Sequence, residues 1–113
     1  MTSASHGLAI DTEDHGDDLV VRVTGELDLS TSPKLSDALT EAGGGTSTSI
    51  TLDLASVTFI DSSALRVLVL SGRALSQDGC ELRIGPRSDM VARVLAMTNL
   101  DEGGDAFVVL PGA

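Results

Sequence analysis

Asp61, Ser62 and Ser63 stand in a row where the strand-like VTFI gives way to the helix-like ALRVLVL. A serine hydroxyl behind a carboxylate has three chemical uses. It can help to start a helix by accepting a backbone N–H. It can attack a carbonyl or ester, given a base to take its proton. It can also receive a phosphoryl group from a kinase, which adds about −1.5 to −2 charges and three acceptor oxygens. The surrounding sequence weighs these uses against one another.

Nucleophilic chemistry finds little support. The two histidines, His6 and His15, lie in the N-terminal region, one near a chain end and one in a turn. Neither is placed to serve Ser62 as a base, and no G-x-S-x-G turn or metal-ligand spacing is present. A phospho-aspartate receiver needs a lysine after a late strand, whereas the only lysine, Lys34, opens an early helix. The acids Asp11, Glu13, Asp14, Asp17 and Asp18 match no ion-binding loop and read as turn residues in solvent. Gly43, Gly44 and Gly45 close a helix instead of opening one, so they terminate it and cradle no phosphate. Cys80 is the only cysteine, which excludes an intrachain disulfide and suits a reducing compartment. It reads as a small buried or half-buried thiol.

The elements around Asp61 must bring it to a surface. With 113 residues the chain is one domain's worth, and Phe59 and Phe107 are its only aromatics, so Val, Leu, Ile and Ala must fill the core. Leu8 and Ile10, then Leu19, Val21 and Val23, alternate as two strands around the turn DHGDD. Ser32 before Pro33 reads as an N-cap, and Leu35, Ala38, Leu39 and Ala42 form one helical face. Ile50, Leu52 and Leu54 share a strand parity. At about 100° per residue, a helix over Asp61 to Gln77 turns Ala64, Leu65, Leu68, Ser71, Gly72 and Leu75 inward. Ser62, Arg66, Arg73 and Gln77 then form an outward stripe flanked by Val69 and Leu70, two exposed apolar candidates for a partner contact. Gly72 on the inward side allows a close approach to the sheet. GCELRIG is a further strand, Ser88 caps a last helix that buries Val91, Val94 and Leu95, and Asn99 ends it in a left-handed conformation. Met90 and Met97 read as core or groove filler. AFVVLP is the final strand. The order strand, strand, helix, strand, helix, strand, helix, strand predicts an α/β fold, a mixed and mostly parallel sheet with helices packed on it.

Charge narrows the partners. Seven basic and seventeen acidic side chains give a net −10, which argues against nucleic acid and allows a basic protein. The start, MTSASHGLAI, has neither a basic region nor a long apolar segment, so no secretory leader is expected. The apolar run Val67 to Leu70 is far too short to cross a bilayer, and no membrane association is expected.

GELDLSTSPKL and VTFIDSSALRVLVLSGRAL together resemble the STAS-domain anti-sigma factor antagonists of bacteria, and VARVLAMTNLDEGGDAFVV is similar to that family's last helix and strand. The resemblance runs from about Leu8 to Leu110. It implies a single STAS-like domain over residues 1–113, with an ordered part of about 8–110. In that family the serine directly after the aspartate is phosphorylated by a partner kinase that is also the anti-sigma factor. Carried over, the phosphorylation site is Ser62, surrounded by Asp61, Ser63 and Asp28, the acid of GELD. The family often has glycines in the next turn, where this chain has Ala64 and Arg66. The implied function is partner switching in transcription regulation. The unphosphorylated protein binds an anti-sigma factor serine kinase and frees the sigma factor, and the phosphoprotein lets go until a phosphoserine phosphatase restores it.

The expected partner-binding residues are Arg66, Val69, Leu70 and Arg73, and a phosphate on Ser62 is expected to accept helix N–H groups. The protein is expected to be cytoplasmic, not an enzyme, with no cofactor and no metal. Two alternatives stay open: a STAS subunit of a lipid-transport or stress-sensing assembly without the switch, and a small serine hydrolase using Ser62.

Overall fold

Alternating aliphatic residues build the sheet, and each helix begins at a polar cap. The computed structural model describes residues 7–111. Its elements are β1 (Leu8–His15), β2 (Asp18–Leu27), α1 (Ser32–Gly43), β3 (Ser49–Ile60), α2 (Ser62–Gln77), β4 (Glu81–Arg87), α3 (Asp89–Met97) and β5 (Val108–Val109). The expected order of strands and helices is therefore present. The strands lie side by side in chain order; β1 and β2 run antiparallel, and β2 to β5 run parallel. This is a single α/β domain with a mixed sheet. His6 lies outside the described residues.

The core is aliphatic, as the near absence of aromatics requires. Val21 and Val23 of β2, Leu35 and Leu39 of α1, Ile50, Leu52 and Leu54 of β3 and Leu68 of α2 are fully buried. Ile84, Val91 and Leu95 close it from β4 and α3. Phe107 is buried, whereas Phe59 is exposed. The parity break after Leu54 has a cause. The β2–β3 register shifts twice, between Arg22 and Thr24 and between Gly25 and Glu26. Gly25 has φ +117, and a β-carbon there would overlap the Gly7 carbonyl, so no side chain fits. Such bulges bend a strand and re-aim the residues beyond them, so Val57 and Ile60 are both buried at the end of β3.

Several details differ from the expectations above. Of the acids expected in a turn, Asp11, Glu13 and Asp14 lie in β1 and Asp18 opens β2, and Val94 is half-buried where burial was expected. The N-cap of α1 is Thr31, and Ser32 is already helical. Asp28 explains the change, because its carbonyl accepts the Ser32 amide at 2.8 Å and so starts the turn one residue early. Met97 fills neither core nor groove; it is 73% exposed at the end of α3. Gly72 does permit a close approach, but the group it admits is the Ala106 carbonyl in the segment before β5. The other helix ends match expectation: Ser88 Oγ accepts the Val91 amide at 3.3 Å, and Asn99 is left-handed with φ 62.

Candidate functional site

Two strand ends build the site. The Asp61 amide donates to the Leu27 carbonyl at 3.1 Å, which joins the exit of β3 to the exit of β2. Asp28 and Asp61 therefore lie on neighbouring chain segments, as the resemblance implied. Asp61 is the N-cap of α2, and its Oδ1 accepts the amides of Ser63 at 2.9 Å and Ala64 at 3.3 Å. Ser62 is the first helical residue and is exposed, while Ser63 is half-buried. The capping duty thus falls on the aspartate and leaves the Ser62 hydroxyl at the surface. The cap also alters one expectation. A phosphate on Ser62 meets two first-turn amides already held by Asp61, so it gains less from the helix end than a bare N-terminus offers.

Asp28 is committed to its own loop. Its Oδ1 accepts the Ser30 amide at 2.9 Å, the Ser30 hydroxyl at 2.7 Å and the Thr31 amide at 3.1 Å. Thr31 Oγ1 completes the lock: it accepts the Asp28 amide at 2.9 Å and donates to the Glu26 carbonyl at 2.8 Å. The Ser30 hydroxyl is the main cause holding the Asp28 carboxyl below its ordinary pKa; partial burial opposes it, and the Thr31 and Ser30 amides assist. The sequence D-L-S-T carries this signal, since an Asp followed by Ser and Thr favours such side-chain turns. The resemblance pointed to Asp28 but not to Leu29, Ser30 and Thr31. Leu29, at the tip of this loop, is 75% exposed.

The expected partner residues form a stripe further along α2. Arg66 and Arg73 are exposed, and Leu70 is 53% exposed. Leu70 lies about 12 Å along the axis from Ser62 by helical rise. Val69 departs from expectation: it is half-buried and packs against the core, so it is no free apolar contact. It stands on the flank of the inward arc, where its β-branched side chain reaches the core edge. Arg73 is not unengaged either, for Nη2 lies 3.7 Å from Asp105 Oδ1.

Among the described residues, no histidine base or metal-ligand cluster is assembled around Ser62. His15 pairs with Asp18, at the far end of β2 from Leu27, about 30 Å away by strand rise. It hydrogen-bonds to Glu13 at 2.8 Å. Cys80 is buried, and burial, with the carboxylates of Asp18 and Asp78, pushes its thiol up. Among the described residues, no helix is long and apolar enough to cross a membrane.

Comparison with known proteins gives the arrangement a relation. Residues 10–111 match the family model described as Mlab, STAS domain. The anti-sigma-B factor antagonist of Staphylococcus epidermidis is 33% identical over 95 residues, 84% of this chain and 88% of that protein. The chain belongs to the STAS-domain family of anti-sigma factor antagonists. Among solved structures, an anti-sigma factor antagonist from Mycobacterium paratuberculosis superposes with a TM-score of 0.81 at 27% identity, covering 97% of this chain and 91% of that one. The anti-sigma factor antagonist SpoIIAA in its unphosphorylated form shares the fold, with a TM-score of 0.71 at 22% identity over 91% of this chain and 89% of its own. In this STAS chain, then, Asp61 and Ser62 sit where β3 hands over to α2.

Proposed function

We propose that this STAS protein is a cytoplasmic, non-catalytic switch. Unphosphorylated, it binds an anti-sigma factor serine kinase and so frees a sigma factor. Phosphorylated on Ser62, it releases the kinase, and a phosphoserine phosphatase resets it. One observation carries the reading. Asp61 takes the structural work of capping α2, and the next residue, Ser62, presents an exposed hydroxyl with no hydrogen-bond partner among the described residues. The names of its relatives supply the partner class.

The chemistry asks little of this chain. The Ser62 oxygen attacks the γ-phosphorus of a nucleoside triphosphate held by the kinase. The bond to the nucleoside diphosphate breaks, and the hydroxyl proton passes to a base on the kinase. This chain supplies position: a hydroxyl at a rigid strand-to-helix corner, clear of the core.

The STAS resemblance also allows a second reading, in which the same face docks into a lipid-transport or stress-sensing assembly without phosphorylation. Incubation with the anti-sigma kinase of the native cell and ATP, followed by phosphosite mass spectrometry, separates the two. Phosphate on Ser62, and loss of kinase binding after transfer, is the expected result. Phosphate on Ser63 or on Ser30 to Ser32 would overturn the site. A native pull-down that yields transporter subunits and no kinase would favour the second reading. Turnover of a generic ester that disappears in Ser62→Ala would replace both with a hydrolase.

A further inference from the structure

We infer that Leu29 is the apolar anchor of this docking face, seated in a socket of the partner kinase that is apolar at its floor and basic at its rim. The inference rests on the proposed function and deepens it. Among the exposed large apolar side chains of the described residues, Leu29 is the most open, at 75%. An exposed leucine alone is ordinary. This one differs in how its backbone is held and where it stands.

The loop that carries Leu29 has little freedom. Residues on both sides of it are tied down: Asp28 through its carboxylate to Ser30 and Thr31, and Thr31 through its hydroxyl to Asp28 and Glu26. The Thr31 and Ser32 amides also donate to the Asp28 carbonyl, at 3.2 and 2.8 Å. A chain tip fixed in this way loses little conformational entropy on binding, which is what pre-organisation contributes to affinity. Polar groups thus hold an apolar side chain out in water, an arrangement that core packing does not explain.

Location supplies the partner. The loop leaves β2 directly after Leu27, whose carbonyl accepts the Asp61 amide, so Leu29 rises beside the start of α2. A protein that brings a phosphoryl donor to Ser62 must cover this ground. The surroundings set the chemistry of the socket. Glu26 is exposed, and Asp28 and Asp61 are half-buried, three carboxylates along the two strand ends. A leucine among carboxylates fits an apolar pocket rimmed by arginine or lysine. A few central, desolvated side chains carry most of the binding energy of a protein interface; leucine is seldom among them, and the held loop is what qualifies this one.

The test uses the full chain and the kinase that phosphorylates Ser62, with binding followed by calorimetry. Leu29→Ser is expected to weaken binding roughly tenfold or more, to raise KM for Ser62 phosphorylation with kcat unchanged, and to leave the melting temperature as it was. Leu29→Met should restore most of the affinity. Met97→Ser, which alters an equally exposed side chain on α3, should bind as wild type. Asp28→Ala should loosen the loop, weaken binding, and shrink the further effect of Leu29→Ser. Leu29→Ser binding as tightly as wild type would overturn the anchor while leaving the switch intact. A wild type that binds no such kinase would overturn the switch and the anchor together. Equal losses in Leu29→Ser and Met97→Ser would also refute the anchor, because they would show a general need for surface apolarity.

Discussion

Gly72 of α2 faces the carbonyl oxygen of Ala106 so closely that a β-carbon at this glycine would overlap it. The contact locks the segment leading into β5 against the helix, and Arg73 adds its ion pair to Asp105 beside it. In an open helix, Gly→Ala would stabilise by about 1 kcal/mol. Here the obstacle is backbone, which gives way poorly, and overpacking of this kind costs about 1–3 kcal/mol. Gly72→Ala should therefore unfold at lower denaturant than wild type. An unchanged or raised midpoint at constant m would refute the close approach.

Leu68 and Leu70 sit two residues apart on one helix with opposite burdens. Leu68 is fully buried and Leu70 is 53% exposed. Leu68→Ala should cost roughly 2–5 kcal/mol, through lost burial and the cavity left behind. Leu70→Ala should stay within about 0.5 kcal/mol of wild type and lose partner affinity instead. Parallel urea melts decide it. If Leu70→Ala is the more damaging of the two, the helix is rotated from the orientation described.

The Asp28 carboxyl gives a pH signature. Its folded pKa is depressed, so its ionised form favours the folded loop. The contribution is fully present above the unfolded pKa and is lost as pH falls through the folded one. The Ser30 hydroxyl is the largest cause of the depression. Ser30→Ala should move the Asp28 titration upward, and the loop should loosen at a higher pH than in wild type. Carboxyl carbon NMR across the acid range reads both. Superimposable Asp28 curves for the two proteins would contradict the hydrogen-bond account.

A negative charge at Ser62 should block the partner and spare the fold. The position is exposed, and a favourable helix end offers an anion about 0.3–1 kcal/mol. Asp61 already holds two of the amides, which trims that gain. The group it meets in the complex is the kinase base that takes the Ser62 proton, set apart from the basic rim around Leu29. Against such a carboxylate, two unit charges at 4 Å repel by about 4 kcal/mol at an effective dielectric of 20. Even ~3 kcal/mol weakens binding about a hundredfold. Ser62→Glu should melt within a few degrees of wild type and bind the kinase poorly. Amide NMR shifts confined to the surroundings of Ser62 and Asp28 are expected. Shifts spreading through the sheet to α3 would show a conformational switch.

Periodicity carried most of the architecture. The inward arc of α2, the strand order, the Ser88 cap and the left-handed Asn99 all obey local rules that tertiary packing did not override. The features that escaped were created by contacts distant in sequence. The approach of Gly72 to Ala106 depends on a segment more than thirty residues later. Val69 fell inside the edge of the core because neighbours, and not the helical wheel alone, decide what is covered. Thr31 displaced Ser32 as cap because the Asp28 carbonyl began the turn earlier. At the site, Asp61 and Ser62 were legible from their order. The locked loop around Leu29 was written in D-L-S-T, but its nearness to Ser62 required the pairing of β2 with β3.

The unequal lengths of β3 and β4 give Ser62 a particular mechanical setting. β4 pairs with β3 only as far as Leu54, whereas β2 accompanies β3 to Ile60. The last stretch of β3 thus loses β4 as a neighbour but not its footing: β1 still flanks β2 as far as Gly25, and Leu27, Val57 and Ile60 are buried in the core, with the acceptor hydroxyl just past this held end. A strand end whose side chains are buried in the core opens only at a high free-energy cost. The corner that a kinase must enclose is therefore presented ready-made, and it is the partner that must shape itself to it.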